Sequence, residues 1–270
     1  MRTFLLLFLG LCLSLPLHAQ NSGLRRLTDR EDLLGWEAVG KLDLGGGSFC
    51  TGTLIARDLV LTAAHCAVDR STGKPYAPGR AVFHAGYSDG ASLSRQEVSQ
   101  IAVHPDFDIR QPMSPEYIRV DVALMRLTQP VPLSVANPFA LHSGNIHGAE
   151  ISVSSYGQGR AEAISRQKSC RILNREEGLI MVDCDLTFGS SGSALLARSD
   201  SRWQILSVLS GGGNHNGQKI GVGMELPEIV AQLKRQMYRD APRPKAGIKM
   251  LGVGSGRRSS GAKFIRPNGS

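Results

Sequence analysis

The 270-residue sequence lacks several things, and each absence excludes a class of protein. No apolar run is long enough to be a convincing membrane span. The longest, Phe4 to Leu17, follows Arg2 and runs into Leu17-His18-Ala19, the small-residue pattern of an export-signal cleavage site. Residues 1–19 therefore read as a signal peptide, with the mature chain expected to begin near Gln20 and to be secreted or periplasmic. No Cys-x-x-Cys or paired Cys/His spacing occurs, which removes the usual zinc frameworks. There is no internal repeat, and helical periodicity is nearly missing: only Pro227 to Tyr238 places Ile229, Val230, Leu233 and Met237 on one face. Acidic residues are absent from 241–270, where Arg243, Lys245, Lys249, Arg257, Arg258, Lys263 and Arg266 stand among Gly, Ser and Pro.

The net charge of +8 comes from that tail and Arg2, because residues 20–240 hold 23 basic and 23 acidic side chains. The globular part is neutral overall, and no nucleic-acid partner is expected of it. The tail has too few large apolar side chains to fold alone and is expected to be disordered, free to contact anionic surfaces. Four cysteines remain beyond the signal, Cys50, Cys66, Cys170 and Cys184, an even set expected in disulfides in an exported chain.

Residues 20–33 are polar and charged, with no clear period. Strand-like runs then come at Trp36–Leu44, Phe49–Ile55, Leu59–Thr62, Ala81–Ala85, Val98–Val103 and Val120–Leu127. More come at Glu150–Ser155, Gly178–Asp183, Trp203–Leu209 and Gly221–Met224. Many short strands with turn-rich links, closed by one helix, predict an all-β sandwich or barrel architecture.

Three runs carry chemistry. In Gly189-Ser190-Ser191-Gly192-Ser193-Ala194, glycines flank a hydroxyl, so a sharp turn can present Ser191 Oγ while the Gly189 and Ser191 N–H groups converge on one point. His65 lies between a strand end and Cys66, after Ala63-Ala64. Asp121 opens the apolar run Val122-Ala123-Leu124-Met125, where a carboxylate is costly to bury unless paired or hydrogen-bonded. A serine nucleophile, a base and an orienter are the parts that acyl transfer needs.

Leu61-Thr62-Ala63-Ala64-His65-Cys66 resembles the histidine motif of chymotrypsin-like serine proteases, Asp121–Leu127 their aspartate motif and Gly189–Ala194 their serine motif, in the same order. Tyr156-Gly157 resembles the Trp-Gly that begins their second barrel, and Ser210 with Gly212 resembles their substrate-pairing strand. The likeness covers roughly residues 34–238. It implies two packed six-stranded antiparallel β-barrels with a C-terminal helix, a peptidase domain over 34–240 and a connector near 128–146. It implies His65 as base, Asp121 as orienter, Ser191 as nucleophile, and the N–H groups of Gly189 and Ser191 as oxyanion donors. A monomer hydrolysing protein or peptide substrates through an acyl-enzyme, without cofactor or metal, is the implied activity. A Cys50–Cys66 disulfide would pin the backbone carrying His65, and Cys170 and Cys184, flanking a hairpin through Arg175-Glu176-Glu177-Gly178, are expected to pair.

The sequence departs from the animal enzymes. The Gly-Ser-Ser-Gly-Ser form resembles the bacterial secreted branch that includes glutamyl endopeptidases. Ser190 stands where an aspartate captures a newly cut N-terminus, so Arg25-Arg26-Leu27 resembles a processing site without the usual activation salt bridge. The cysteine pair that braces the specificity pocket is missing. Asp185, six residues before Ser191, is expected at the pocket floor and implies cleavage after Arg or Lys. Three other readings compete: a catalytically inactive protease-like binding protein, an esterase of the α/β-hydrolase type, against which Ser193 occupies the last glycine's place of Gly-x-Ser-x-Gly, and a binder of anionic surfaces through the basic tail.

Overall fold

Short apolar runs bounded by glycine, aspartate and serine favour antiparallel sheet over helix. The computed structural model describes residues 23–143, 149–199 and 202–241, and its compact unit ends at Asp240. The expected export signal and the tail from residue 242 lie outside the described residues.

The chain opens with β1 (Leu24–Arg26) and the one-turn helix α1 (Arg30–Leu33). Then come β2 (Val39–Asp43), β3 (Phe49–Ala56), β4 (Leu59–Thr62), β5 (Val82–Ala85), β6 (Ser94–Val103), the short helix α2 (Pro115–Val120) and β7 (Ala123–Leu127). The six strands from β2 to β7 close into a barrel in the order β2-β3-β4-β7-β6-β5, with β5 pairing back onto β2. Leu42, Leu54, Leu61, Phe83 and Leu124 are fully buried in this half, and each such side chain contributes about 1.5–3 kcal/mol of burial.

The second half holds β8 (Ile151–Gly157), β9 (Arg160–Cys170), β10 (Ile172–Glu176), β11 (Leu179–Val182), β12 (Ala194–Ser199), β13 (Arg202–His215) and β14 (Gln218–Glu225), then α3 (Pro227–Arg239). Its sheet runs β1-β9-β8-β12-β13-β14-β11-β10, antiparallel throughout. The all-β class, two sheets and a C-terminal helix match the expectation; the second sheet counts eight strands rather than six because β1 and β10 extend its two ends. The segment before residue 34 is therefore built into the sheet. Arg25 and Arg26 pair with Arg166 and Ser165 of β9, and Leu27 is buried with its N–H on the Ile164 carbonyl at 2.8 Å.

Elements link the halves across the molecule. α3 comes after the second sheet but packs on β6 and β7 of the barrel, burying Val230, Leu233 and Met237. Gln100 Nε2 donates to the Met237 carbonyl at 2.8 Å. Within the connector, Val131, Ala136 and Phe139 are buried, and the Phe139 N–H reaches the Leu54 carbonyl at 2.9 Å. Phe139 and Trp203 both pack on Trp36, and the Arg166 guanidinium lies 4.0 Å from the Trp36 ring centre.

Both expected disulfides are present, Cys50–Cys66 and Cys170–Cys184. The first joins β3 to the turn after β4. Replacing Cys50 and Cys66 together by alanine is expected to lower stability by about 2–4 kcal/mol, read from urea unfolding as the extrapolated free energy, with a steeper slope because the unfolded chain is less constrained.

Candidate active site

The site grows from the end of β4. Its four residues are all buried, and Ala63 and Ala64 continue that burial into a single 3-10 turn, Ala64–Cys66, that turns the chain at His65. Cys66, tied to Cys50, holds the far side of the turn. Asp121 comes from a different device. Ser114 caps α2 by accepting the Tyr117 N–H at 3.2 Å, Pro115 sits in its first turn, and the helix stops at Asp121 immediately before β7. The strand expected over Val120–Leu127 therefore starts at Ala123, and Asp121 sits at a helix end.

Asp121 is fully buried and its carboxylate accepts three hydrogen bonds. Oδ1 accepts from the His65 backbone N–H at 2.8 Å, and Oδ2 accepts from His65 Nδ1 at 2.7 Å and Ser210 Oγ at 2.5 Å. An acceptor-only carboxylate facing Nδ1 fixes the imidazole with its proton there and leaves Nε2 as the available lone pair. Tyr117, which lines the same cleft, is held in its neutral phenol form: burial pushes its pKa up and the nearby Asp121 charge adds to that.

Ser191 lies in a loop clamped from both halves. Thr51 of β3, fully buried, donates its N–H to the Ser191 carbonyl at 3.0 Å and its Oγ1 to the Gly189 carbonyl at 2.9 Å. The Gln158 N–H, from the turn between β8 and β9, donates to the Phe188 carbonyl at 2.6 Å. Because the peptide bond is planar and trans, that carbonyl's direction aims the Gly189 N–H the opposite way. Gly189 has φ +89°, and a Cβ there would lie 2.3 Å from the Phe49 ring. Gly192 has φ +80°, and a Cβ there would lie 2.1 Å from Thr62 Oγ1. Only glycine fits either place. Among the described residues, the N–H groups of Gly189 and Ser191 have no acceptor, and neither Ser191 Oγ nor His65 Nε2 makes a hydrogen bond.

His65, Ser191 and Ser210 line one cleft of about 680 Å³. The ladder between β12 and β13 ends at Ala194–Val208, so from Ser210 onward β13 pairs only with β14 and its other edge is open to the cleft. A register shift between Leu209 and Gly211 marks a bulge at Ser210, which turns Oγ toward Asp121. Gly212 lies on that open edge and lines the cleft.

Asp185, expected at a pocket floor, has its Oδ1 3.4 Å from Lys219 Nζ, and Lys219 lines the cleft. The partner is thirty-four residues away in sequence, which is why a spacing from Ser191 could not show it. Thr51, Gln158 and Arg160 were also invisible as site residues, although Thr51 adjoins Cys50 and the other two come just after Tyr156-Gly157. The grouping of metal-capable side chains among the described residues is Cys50, Cys66 and His65, and its two sulfurs are tied up in a disulfide.

A family model described as Trypsin matches residues 30–231. Serine protease 56 of Mus musculus is 34% identical over 111 residues, which is 41% of this chain and 17% of that protein. Serine protease 23 of Rattus norvegicus is 27% identical over 191 residues, 60% of this chain and 48% of that protein. The chain thus spans about half the length of the second relative and under a fifth of the first. Among solved structures, "Structure of Glu endopeptidase in complex with MPD" aligns with a TM-score of 0.65 at 20% identity, covering 82% of this chain and 97% of that one. At that identity the likeness speaks for the fold.

Gly189→Ala must move either the Phe49 ring or the Phe188–Gly189 peptide. It is expected to slow phosphonylation of Ser191 by a fluorophosphonate by about 10²–10³-fold, the cost of losing one oxyanion donor, while the circular dichroism spectrum stays that of the parent.

Proposed function

The chain belongs to the trypsin family, and from that premise we propose that it is an active serine endopeptidase whose nucleophile, base and orienter are Ser191, His65 and Asp121. The observation that carries this reading is the buried Asp121 carboxylate holding His65 Nδ1 at 2.7 Å while Ser191 lines the same cleft beside two unpaired N–H groups. His65 Nε2 takes the hydroxyl proton as Ser191 Oγ attacks a substrate carbonyl, and Asp121 stabilises the imidazolium that forms. The Gly189 and Ser191 N–H groups receive the oxyanion. His65 then returns the proton to the leaving amine, and water releases the acyl group by the same steps. The His65–Ser191 hydrogen bond is left to form with substrate in place, as is common for catalytic bonds in unliganded sites. A peptide lying against the open edge of β13 from Ser210 to Gly212 would add as a short antiparallel strand, which places its carbonyl at Ser191.

Export to an oxidising compartment fits the two disulfides, and the Gly-Ser-Ser-Gly-Ser run favours the bacterial secreted branch. The inactive binding protein is the weaker reading because no part of the machinery is missing. For primary specificity, a preference for uncharged side chains is favoured over Arg or Lys. Asp185 Oδ1 lies 3.4 Å from Nζ of Lys219, and Lys219 lines the cleft, so a substrate cation would meet the lysine first.

Ser191→Ala is expected to lower turnover of a casein substrate by about 10⁵–10⁶-fold, with His65→Ala adding little on top; comparable turnover in the single variant would refute the assignment. Profiling a peptide library should give little cleavage after Arg or Lys. Lys219→Gln should raise kcat/KM after Arg by no more than about fivefold, because an exposed ion pair is worth about 0.2–1 kcal/mol. A dominant Arg or Lys preference in the parent would restore Asp185 as the pocket acid.

A further inference from the structure

The loop that carries Ser191 presents four carbonyls and one inward side chain, and each has a partner. The Phe188 carbonyl is held by Gln158, those of Gly189 and Ser191 by Thr51, and that of Ser190 by the Ser193 N–H at 3.0 Å. The side chain is Ser190, 2% exposed, and its hydroxyl meets a cation: Arg160 Nη2 lies 2.9 Å from Ser190 Oγ. The same guanidinium donates from Nη1 to the Ser155 carbonyl at 2.7 Å and from Nη2 to Ser155 Oγ at 2.9 Å. Ser155 Oγ is in turn 3.3 Å from Ser190 Oγ, which also accepts the Thr187 N–H at 3.3 Å.

We propose that Arg160 is a positioning residue for the oxyanion-binding loop, gripping Ser190 so that the neighbouring Gly189 and Ser191 N–H groups stay aimed into the cleft. The proposal rests on the hydrolytic reading above. Arg160 acts through Ser190 and touches no reacting atom.

Three observations converge on this role. First, Arg160 and Gln158 belong to one tight turn, with Gly157 of β8 opposite Arg160 of β9, and both grip the same loop, one at Ser190 and one at Phe188. The fit there is close: a Cβ on Gly157 would lie 2.4 Å from Thr187 Oγ1 and 2.8 Å from Arg160 Cζ. Second, the arrangement is expensive for anything that only fills space. Among the described residues no carboxylate forms an ion pair with Arg160, and its buried Nε has no hydrogen-bond partner. Burial pushes the guanidinium pKa down, and the charge of Asp185 offsets this only from a distance. A partly buried cation with neutral acceptors contributes less stability than an apolar side chain of similar size would. The charge and its fork of donors therefore do something that packing alone does not need. Third, the aim of the Gly189 N–H depends on a single peptide, the Phe188–Gly189 unit whose carbonyl accepts from Gln158. Turning the Phe188–Gly189 unit would put a carbonyl where an oxyanion must sit. Anchoring Ser190 immediately beyond that peptide removes the slack such a rotation needs.

Arg160→Met, Arg160→Lys, Ser190→Ala and the Arg160→Met/Ser190→Ala double variant decide the matter, assayed on the best-cleaved peptide from the library. Arg160→Met is expected to lower kcat by about 10²-fold, the scale of a small misplacement of catalytic groups, with KM within about threefold of the parent. Arg160→Lys, which keeps a cation and donors, should fall between parent and Arg160→Met. Ser190→Ala should lower kcat about tenfold, and the double variant should be no slower than Arg160→Met, as two members of one linkage behave. A folded Arg160→Met with kcat within threefold of the parent overturns the proposal, as does a loss confined to KM, or losses that multiply in the double variant. Should Arg160→Met not fold, Ser190→Ala deletes a single oxygen and carries the test: unchanged kcat overturns the proposal. A parent protein that is inert to a fluorophosphonate removes the hydrolytic reading, and the positioning role with it, before any variant is made.

Discussion

A carboxylate taken fully out of water has to be saturated with donors, and Asp121 is the point where that requirement organises the molecule. Its desolvation costs several kcal/mol, and the three hydrogen bonds that offset it come from two separate parts of the fold. His65 supplies a backbone N–H and a ring nitrogen from the turn after β4, within the closed barrel. Ser210 supplies its hydroxyl from the bulge in β13, in the eight-stranded sheet. The carboxylate thus fixes an imidazole and registers one sheet against the other with the same atoms. A site made this way cannot loosen without leaving a charge in the interior short of partners.

The loop that carries Ser191 obeys the complementary rule. There it is acceptors that are saturated, so that donors are left over. Thr51 alone holds two loop carbonyls and also accepts the Tyr156 N–H at 3.0 Å. One buried hydroxyl from the barrel therefore touches both the loop with Ser191 and the strand that starts the second sheet. The Gly189 and Ser191 N–H groups remain without acceptors among the described residues, as the proposed oxyanion role requires. Preorganisation of this kind is a backbone property, and the positive φ angles of Gly189 and Gly192 are its precondition.

Much of this was legible in the sequence because it is local. The run into Ala63-Ala64-His65-Cys66, the apolar stretch after Asp121 and the glycines around Ser191 each declare a turn or a strand end within a few residues. The bounds of β4 coincide with the apolar run Leu59–Thr62, and α3 with the only helical period. The features that escaped are non-local or weakly patterned. β9 reads as charged and polar because only Ala163, Ile164, Ser165 and Cys170 face the interior. β1 becomes a strand only by pairing with β9, nearly 140 residues on. α2 did leave a signal: Ser114 before Pro115 is a helix start, overshadowed by the strand-like residues after it. The Asp185–Lys219 ion pair is another long-range contact, thirty-four residues apart, that a spacing counted from Ser191 does not show.

The three residues of β1 also close one edge of the second sheet. They cover Ser165, Arg166 and Gln167 on the outer edge of β9, the longest strand at that end of the sheet. An uncovered edge is a row of unpaired donors and acceptors that invites another chain to extend the sheet. Here the row is closed by a short strand carrying Arg25 and Arg26, each held by an aspartate, Asp32 and Asp89. Trimming the chain past Arg26 would take away that cover, and the first property to change would be colloidal rather than enzymatic: the solubility limit of the folded protein.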